Sequence, residues 1–531
     1  MLRDDRAPAP AADVPAPIGA GERRLPLLRD GRLAPWAALL AAVVGGVLTA
    51  LAFPRFSVRP FAVLGPALLI AAVHRQRLRP AAAYGLAYGL TFLVPLLQWL
   101  QPGAGTNAWL ILSLFQAVIV AVSAAALAAV SRLPGWPVWA AGVWVLQEAV
   151  RGRWPFGGFT WGRLAFSQDE GPFLRWMPVA GTVLVTFLVA LAAALLVAAV
   201  PLLARGRTLP ALALLALGTA PALVAPLLPG PPRAERRTVA ALVQGNVPRL
   251  GLPSNDARQQ DAVIRNHVEA TFELADEVAA GRVPPPAFVL WPENSTDRDP
   301  RTDALAGQLI DAAAKKVGVP IVVGAVLDKG DAVENAGVVW DPATGFGARY
   351  VKRHLVPFGE YIPFREVVTP WFGRLALIPR DFVPADRAAS DPLDVAGVRL
   401  GDVICYEVAY DGLVRDGVRD GAEAIVVQTN NATFGRSDLT HQQLAMSRIR
   451  AVEHGRTVLV VATSGVSAVF TPDGRTVDRS EIFTRDLLVH EVPLSTRRTL
   501  ATTLGDRPEL LLAGIGALGM LAAAAGTLRR R

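Results

Sequence analysis

Residues 34–53 form a run of twenty without a charge, and runs of that kind recur through the first 230 positions. Crossing the hydrocarbon core of a bilayer takes about 20 apolar residues in helical form. Further runs cover 57–73, 81–100, 108–130, 138–150, 179–203 and 209–228, and a last one covers 510–528. The pattern therefore predicts a membrane α-helical bundle of about eight spans. The runs at 57–73 and 138–150 are the shortest. The latter carries Glu148, for which pairing with Arg151 or Arg153 is the plain expectation.

From about residue 233 the rhythm changes. Short runs rich in Val and Ile, at 238–243, 287–291, 320–326, 336–340, 349–352, 398–404, 424–428 and 457–462, read as strands. Between them, 258–279, 302–317 and 441–454 carry helical patterns. Strands alternating with helices imply an α/β domain. The organisation expected is a tail over 1–32, a membrane unit over 33–230, an α/β domain over 233–506 and a closing membrane helix over 509–528.

Composition agrees: 52% of residues are hydrophobic and 18% charged, with a mean hydropathy of +0.36. The net charge of +8 would suit nucleic acid, but no basic stripe with interleaved aromatics occurs. The arginines instead sit in the tail, in short loops at 74–79 and 204–207, and at 529–531. Under the positive-inside rule these regions face the cytoplasm, the uncharged loop 101–107 faces out, and seven crossings put 233–506 outside. The first 32 residues, rich in Pro, Ala and Arg, read as a disordered cytoplasmic tail and not as a cleavable signal peptide. Residues 151–177 break the hydrophobic rhythm; the Arg, Trp, Gly and Phe residues of 151–161 suit an interfacial or re-entrant element, with an outer loop as the simpler alternative.

Candidate chemistry gathers at strand ends. Phe288 to Leu290 leads through Trp291 and Pro292 to Glu293, Tyr350 and Val351 lead to Lys352, and Val403 and Ile404 lead to Cys405, the only cysteine. Ligands of α/β sheets collect at such ends. A thiol attacks as thiolate, a carboxylate can take its proton, and a lysine can steady an oxyanion, so the three make an acyl-transfer set. Alone, Cys405 would read as a small buried hydrophobe. His354, His441 and His454 offer a Cys–His alternative, although a satisfied or surface histidine is the plainer reading of each. Glu453 and Arg456, three apart, read as a structural pair. One cysteine allows no intrachain disulfide and no Cys pair for zinc. There is no P-loop, no Gly-rich dinucleotide turn and no His/Cys metal spacing, so neither cofactor nor metal is expected.

These motifs resemble the carbon–nitrogen hydrolase (nitrilase) superfamily and, within it, the apolipoprotein N-acyltransferases. The resemblance covers nearly everything after the tail. It rests on Trp291-Pro292-Glu293, on Lys352 followed by Leu355-Val356-Pro357-Phe358-Gly359-Glu360-Tyr361-Ile362-Pro363, and on Ile404-Cys405-Tyr406-Glu407. Gln244-Gly245-Asn246, Arg456 and Thr463-Ser464-Gly465 fit as well.

The resemblance implies an αββα sandwich on the extracytoplasmic side of a bacterial plasma membrane. It makes Cys405 the nucleophile, Glu293 its general base and Lys352 the oxyanion stabiliser, with Glu360 and Glu407 as supporting carboxylates. Both supporting carboxylates are expected to orient Lys352 by ion pairing. Tyr406, Thr433 and Phe434 would lie by the substrate. The reaction implied moves a fatty acyl chain from a phospholipid through a thioester on Cys405. Its acceptor is the α-amino group of a diacylglyceryl-modified apolipoprotein, and the enzyme is expected to act as a monomer. A membrane-tethered amidase with water as acceptor is the alternative; a transporter or binding scaffold is disfavoured by the scarcity of charge within the spans. Two departures from the family pattern stand near the substrate: Thr433 where a tryptophan is usual, and no tryptophan near Leu252.

Overall fold

The computed structural model describes residues 28–29, 32–248, 256–369, 380–385 and 391–528. Most of the tail expected to be disordered, the surroundings of Leu252 and the closing arginines lie outside the described residues. Of the tail, β1 (Leu28–Arg29) is described, and it pairs antiparallel with β2 (Arg32–Leu33).

Eight helices fall on the eight apolar runs: α1 (Pro35–Leu51), α2 (Phe61–Val73), α3 (Leu78–Leu96), α5 (Thr106–Val130), α6 (Trp136–Arg151), α7 (Met177–Ala204), α8 (Thr208–Val224) and α15 (Arg507–Leu528). Four helical stretches, Thr106–Val130, Leu174–Ala204, Thr208–Leu227 and Arg507–Gly526, are long and apolar enough to cross a membrane; α1 and α2 are shorter. A single extra turn, α4 (Leu100–Ala104), occupies the expected loop at 101–107.

Small residues let these helices close up, as apolar helices with no hydrophobic drive between them require. A Cβ on Gly65 of α2 would stand 2.1 Å from Thr49 Oγ1 of α1, and one on Gly89 of α3 would stand 2.8 Å from Ala117 of α5. Helix α7 breaks at Ala180 and Gly181, the latter with φ 73°. A Cβ there would stand 2.5 Å from Glu453 Oε1, so the break admits a carboxylate to the start of the helix that follows.

The remaining strands build two six-stranded sheets. One runs β14 (Asp486–Leu494), β3 (Arg236–Gln244), β4 (Phe288–Leu290), β5 (Ile321–Lys329), β6 (Ala332–Asp341) and β7 (Gly345–Val351). The other runs β13 (Thr476–Arg479), β12 (Ala468–Phe470), β11 (Thr457–Ala462), β10 (Ala424–Thr429), β9 (Val398–Ile404) and β8 (Leu393–Val395). Their central members, β3 to β5 and β9 to β11, pair in parallel. Side chains alternate across each strand. Ala240, Leu242, Leu400, Val426 and Leu459 meet between the sheets, whereas Ala241 and Val243 turn to α9 (Ala257–Ala279) and α10 (Ala304–Val317).

On the far side, Ile425, Val427, Val458 and Val460 face α12 (Asp411–Arg419) and α13 (Leu439–His454). The layers are α, β, β, α, as expected. That last helical layer shares one core with Phe92, Trp161 and Val185, so the sandwich rests through α12 and α13 on the apolar helices. Two short helices, α11 (Arg365–Val368) and α14 (Leu500–Leu504), complete the set.

Residues 152–176 sit between the two units. Trp161, Leu164 and Phe166 are buried, while Trp154 and Phe156 remain exposed. Arg163 closes on Asp411 of α12 at 2.6 Å. Two expected pairs are replaced. Glu148 pairs with neither arginine; its carboxylate accepts from Trp144 Nε1 (3.1 Å), Leu164 N (3.0 Å) and Thr186 Oγ1 (2.8 Å), while Arg153 bonds Glu509. Burial explains the exchange, since a carboxylate among apolar helices takes whichever donors the fold turns inward. Glu453 pairs with Arg450, one turn back on the same helix, at 2.5 Å. Arg456 lies beyond Gly455, which ends that helix at φ 61°, and donates to the carbonyls of Ala422 and Arg497 instead.

Candidate active site

Strand β9 delivers Cys405 in the left-handed region, φ 54°, where a residue with a Cβ is strained. The turn Cys405–Ala409 follows directly. Glu407, fully buried, holds this geometry. Its Oε2 accepts from Ile404 N (2.8 Å) and the Tyr350 hydroxyl (2.9 Å), and its Oε1 accepts from Arg353 N (2.7 Å) and His354 N (2.9 Å). Burial raises its pKa, against the pull of those backbone donors and of the Lys352 charge.

Glu407 therefore buckles the Cys405 turn to the loop after Lys352. The expectation that it pairs directly with Lys352 is corrected: four donors, three of them from residues 350–354 and one from Ile404, already occupy both oxygens. Glu407→Gln should leave an NH2 facing two of those donors. We expect a stability loss of about 1–3 kcal/mol, read by thermal unfolding, together with slower alkylation of Cys405 as its turn loosens.

Lys352, at the end of β7, is 1% exposed. Its ammonium lies 2.8 Å from Glu360 Oε1 and 3.2 Å from Glu293 Oε1. Asn335 Nδ2 donates to the same two oxygens, at 2.8 Å to Glu293 and 3.1 Å to Glu360. The second oxygen of Glu293 accepts from Asn430 N at 2.8 Å, and that of Glu360 from Val356 N at 2.8 Å. Burial alone would discharge the lysine, but the charges of Glu293 and Glu360 prevail and hold its pKa well above the ordinary value.

Cys405 is half-buried and unpaired. Burial, with the Glu293 charge added, pushes its thiol up to about 12, while Lys352 and a hydrogen bond from Thr429 pull the other way. The resting sulfur is thus a neutral thiol surrounded by two carboxylates and one ammonium. Transfer of its proton to Glu293 moves one negative charge from the carboxylate to a sulfur beside a lysine, an exchange that needs no outside base.

Glu293, Lys352, Glu360 and Cys405 converge as the sequence suggests. Tyr406 turns away from them: its ring stacks on Trp161, centroids 5.9 Å apart and planes 7° from parallel, and its hydroxyl meets that of Tyr410 at 3.0 Å. Phe434 packs edge-on to Trp99 at 5.6 Å and fills the space that Gly103 leaves on α4. Thr433 is exposed on the same turn. Among the described residues no histidine hydrogen-bonds Cys405. His354 lies against Tyr410, burial and the Lys352 charge pushing it down to about 4, and buried His454 bonds Thr502. His441, on α13, makes no hydrogen bond to the sulfur either, and the one the sulfur receives among the described residues comes from Thr429, which removes the Cys–His alternative.

Asn335 and Thr429 escape a reading of the sequence. Each is a polar residue within or ending an apolar strand, which is the one signal that marks them. Asp402, two residues before Ile404, is buried with neither carboxyl oxygen partnered, and burial followed by the Glu407 charge raises its pKa well above the carboxylate range. It stands as a neutral acid in the gap left by Gly337, where a Cβ would come within 2.0 Å of it and 2.5 Å of Gln428 Oε1. Among the described residues no cluster of His, Cys, Asp and Glu suits a metal ion.

Two family models match the chain: an apolipoprotein N-acyltransferase N-terminal domain over residues 45–195 and a carbon–nitrogen hydrolase over 239–502. The chain is 37% identical over 511 residues to an apolipoprotein N-acyltransferase of Mycolicibacterium smegmatis, covering 91% of this chain and 84% of that protein. It is 30% identical to one from Methylococcus capsulatus, over 90% of this chain and 95% of that one. An amidase of the nitrilase superfamily from Nesterenkonia aligns with a TM-score of 0.37 at 18% identity, over 52% of this chain and 97% of that one.

Proposed function

The chain belongs to the apolipoprotein N-acyltransferase family, and on that premise we propose that it transfers a fatty acyl chain from a membrane phospholipid to the α-amino group of a diacylglyceryl-modified apolipoprotein. Glu293 takes the thiol proton of Cys405. The thiolate attacks the ester carbonyl of the donor, and Lys352 steadies the oxyanion as the C–S bond forms. The C–O bond then breaks, Glu293 returns the proton to the leaving alkoxide, and lysophospholipid departs from a thioester on Cys405. In the second half the lipoprotein amine attacks the thioester carbonyl, Glu293 accepts the amine proton, and the C–S bond breaks to restore the thiol. Glu360 keeps Lys352 charged and aimed, and Glu407 keeps Cys405 in its strained turn.

Eight crossings are the topology we favour, with the arginine loops cytoplasmic and the sandwich extracytoplasmic in a bacterial plasma membrane. Supporting this, the eight apolar helices coincide with the eight runs, and the sandwich sits on them through the layer next to Cys405. The observation that carries the reading is the ion cluster Glu293–Lys352–Glu360 beside a lone thiol, on a domain based upon apolar helices.

The test is an assay of the full chain in mixed phospholipid–detergent micelles with a diacylated lipopeptide bearing a free N-terminus. N-acylation of the peptide with release of lysophospholipid is expected. Release of free fatty acid with the lipopeptide unchanged would indicate the amidase-like alternative, in which water is the acceptor.

A further inference from the structure

Strand β10, beside the nucleophile's own strand, ends on Thr429, a buried residue whose single hydroxyl reaches three acceptors. Asn431 Oδ1 is 2.9 Å away, Gln443 Oε1 is 3.0 Å away and Cys405 Sγ is 3.4 Å away. The carboxamides are oriented with oxygen toward it, because Asn431 Nδ2 is committed to Gln443 Oε1 and to Thr440 Oγ1, each at 3.1 Å. A threonine hydroxyl has one hydrogen to donate, so it serves only one of the three at a time.

Which acceptor wins depends on the charge of the sulfur. A thiol sulfur is a weak acceptor, and both amide oxygens are stronger and nearer. At rest the hydrogen belongs to Asn431 or Gln443. A thiolate is an ionised acceptor, and hydrogen bonds to ionised groups are roughly twice as strong as neutral ones. We infer that Thr429 is a further catalytic residue, its hydroxyl turning from Asn431 and Gln443 to Cys405 Sγ as the thiol loses its proton. The proton itself goes to Glu293; Thr429 supplies only a hydrogen bond. When the sulfur becomes a thioester it again accepts weakly, and the hydroxyl returns to the carboxamides.

The arrangement joins both partners of the proton transfer to one loop. Asn430 N holds Glu293 Oε2 at 2.8 Å, and the next residue, Asn431, holds the hydroxyl that attends the sulfur. The same loop carries Thr433, which is exposed, and Phe434, which packs against Gly103 of α4. The inference rests on the reading of Cys405 as nucleophile.

Alkylation of Cys405 by iodoacetamide, followed by mass spectrometry across the neutral to alkaline range, tests it without any lipid substrate. Thr429→Ser should match the wild type within about twofold, because the hydroxyl is retained. Thr429→Val should raise the apparent thiol pKa by about one unit and slow alkylation at neutral pH about tenfold. An unchanged pH profile in Thr429→Val, or a serine variant that behaves like the valine one, would overturn the inference. Should Thr429→Val lose its cooperative thermal transition, Gln443→Leu decides. Removing a competing acceptor should speed alkylation at neutral pH, and an unchanged or slower rate overturns the proposal. Acyl transfer that survives in Cys405→Ala would instead bring down the nucleophile reading itself, and this inference with it.

Discussion

Cys405→Ala is expected to abolish N-acylation of a diacylated lipopeptide, with a fall of about 10^4–10^6-fold, as for removal of a nucleophile that works as one unit with its base. In the mechanism we propose, both half-reactions pass through the sulfur, so neither lysophospholipid release nor peptide acylation should survive. The loss would not reflect unfolding. Cys405 is half-buried and forms no disulfide, and losing its sulfur costs at most about 1 kcal/mol by the usual scale of small truncations. Thermal unfolding and membrane insertion should therefore match the wild type. Acyl transfer at an appreciable fraction of the native rate in Cys405→Ala would sink the thioester mechanism. A mass-spectrometric acyl label on Ser464 or Ser467 would do the same. Ser467 is a poor rival, since its hydroxyl is tied to Gln244 Oε1 at 2.7 Å.

How far such an arrangement can be read from the chain alone differs from element to element. The apolar helices are legible because each needs only its own run of residues. Strands β10 and β11 are legible for a similar reason: buried on both faces, they read as unbroken Val- and Ile-rich runs. Strand β14 is not, because Asp486–Leu494 is an edge strand carrying Asp, His, Glu and Pro, and its pairing with β3 is a tertiary fact. Helix α12, with two glycines and four charged residues in nine, defeats the helical pattern in the same way.

Within the site, Glu293, Lys352 and Cys405 are legible because each follows an apolar strand directly. The roles of their neighbours are not. Glu407 is a partner for Lys352 by what the family resemblance implies, yet its oxygens are taken by backbone groups of the loop after β7, by Ile404 N and by Tyr350. Trp161 looks like a belt aromatic, yet its indole donates to Gln442, 281 positions away. No local pattern encodes such distances. Hydrophobic period tells which face of a strand is buried, but only the assembled sheets tell which polar groups meet across the gap.

Lys352→Met carries the second large effect, and it separates charge from shape. Methionine fills most of the volume of lysine while removing the ammonium, so packing should be kept. What it leaves are two carboxylates, Glu293 and Glu360, sharing one amide donor, Asn335, in a site where lysine and both acids are largely enclosed. Removing one partner of such a buried ion set costs about 3–5 kcal/mol, because the remaining charges stay uncompensated. The variant should therefore melt at lower temperature. It should also be inactive, since the cation that would meet the oxyanion and offset the thiolate is gone.

Lys352→Met combined with Glu360→Gln distinguishes the two consequences. Taking away one of the stranded charges should recover much of the stability, because the substituted carboxamide keeps an oxygen that can accept from Val356 N. It should recover none of the acyl transfer, because no positive group returns beside Cys405. The thiol follows the same logic: with Lys352 gone and Glu293 still charged, the sulfur is harder to ionise, and its alkylation at neutral pH should slow in both variants. A double variant that regained activity along with stability would mean that Lys352 serves the fold alone and that the oxyanion is met by other groups.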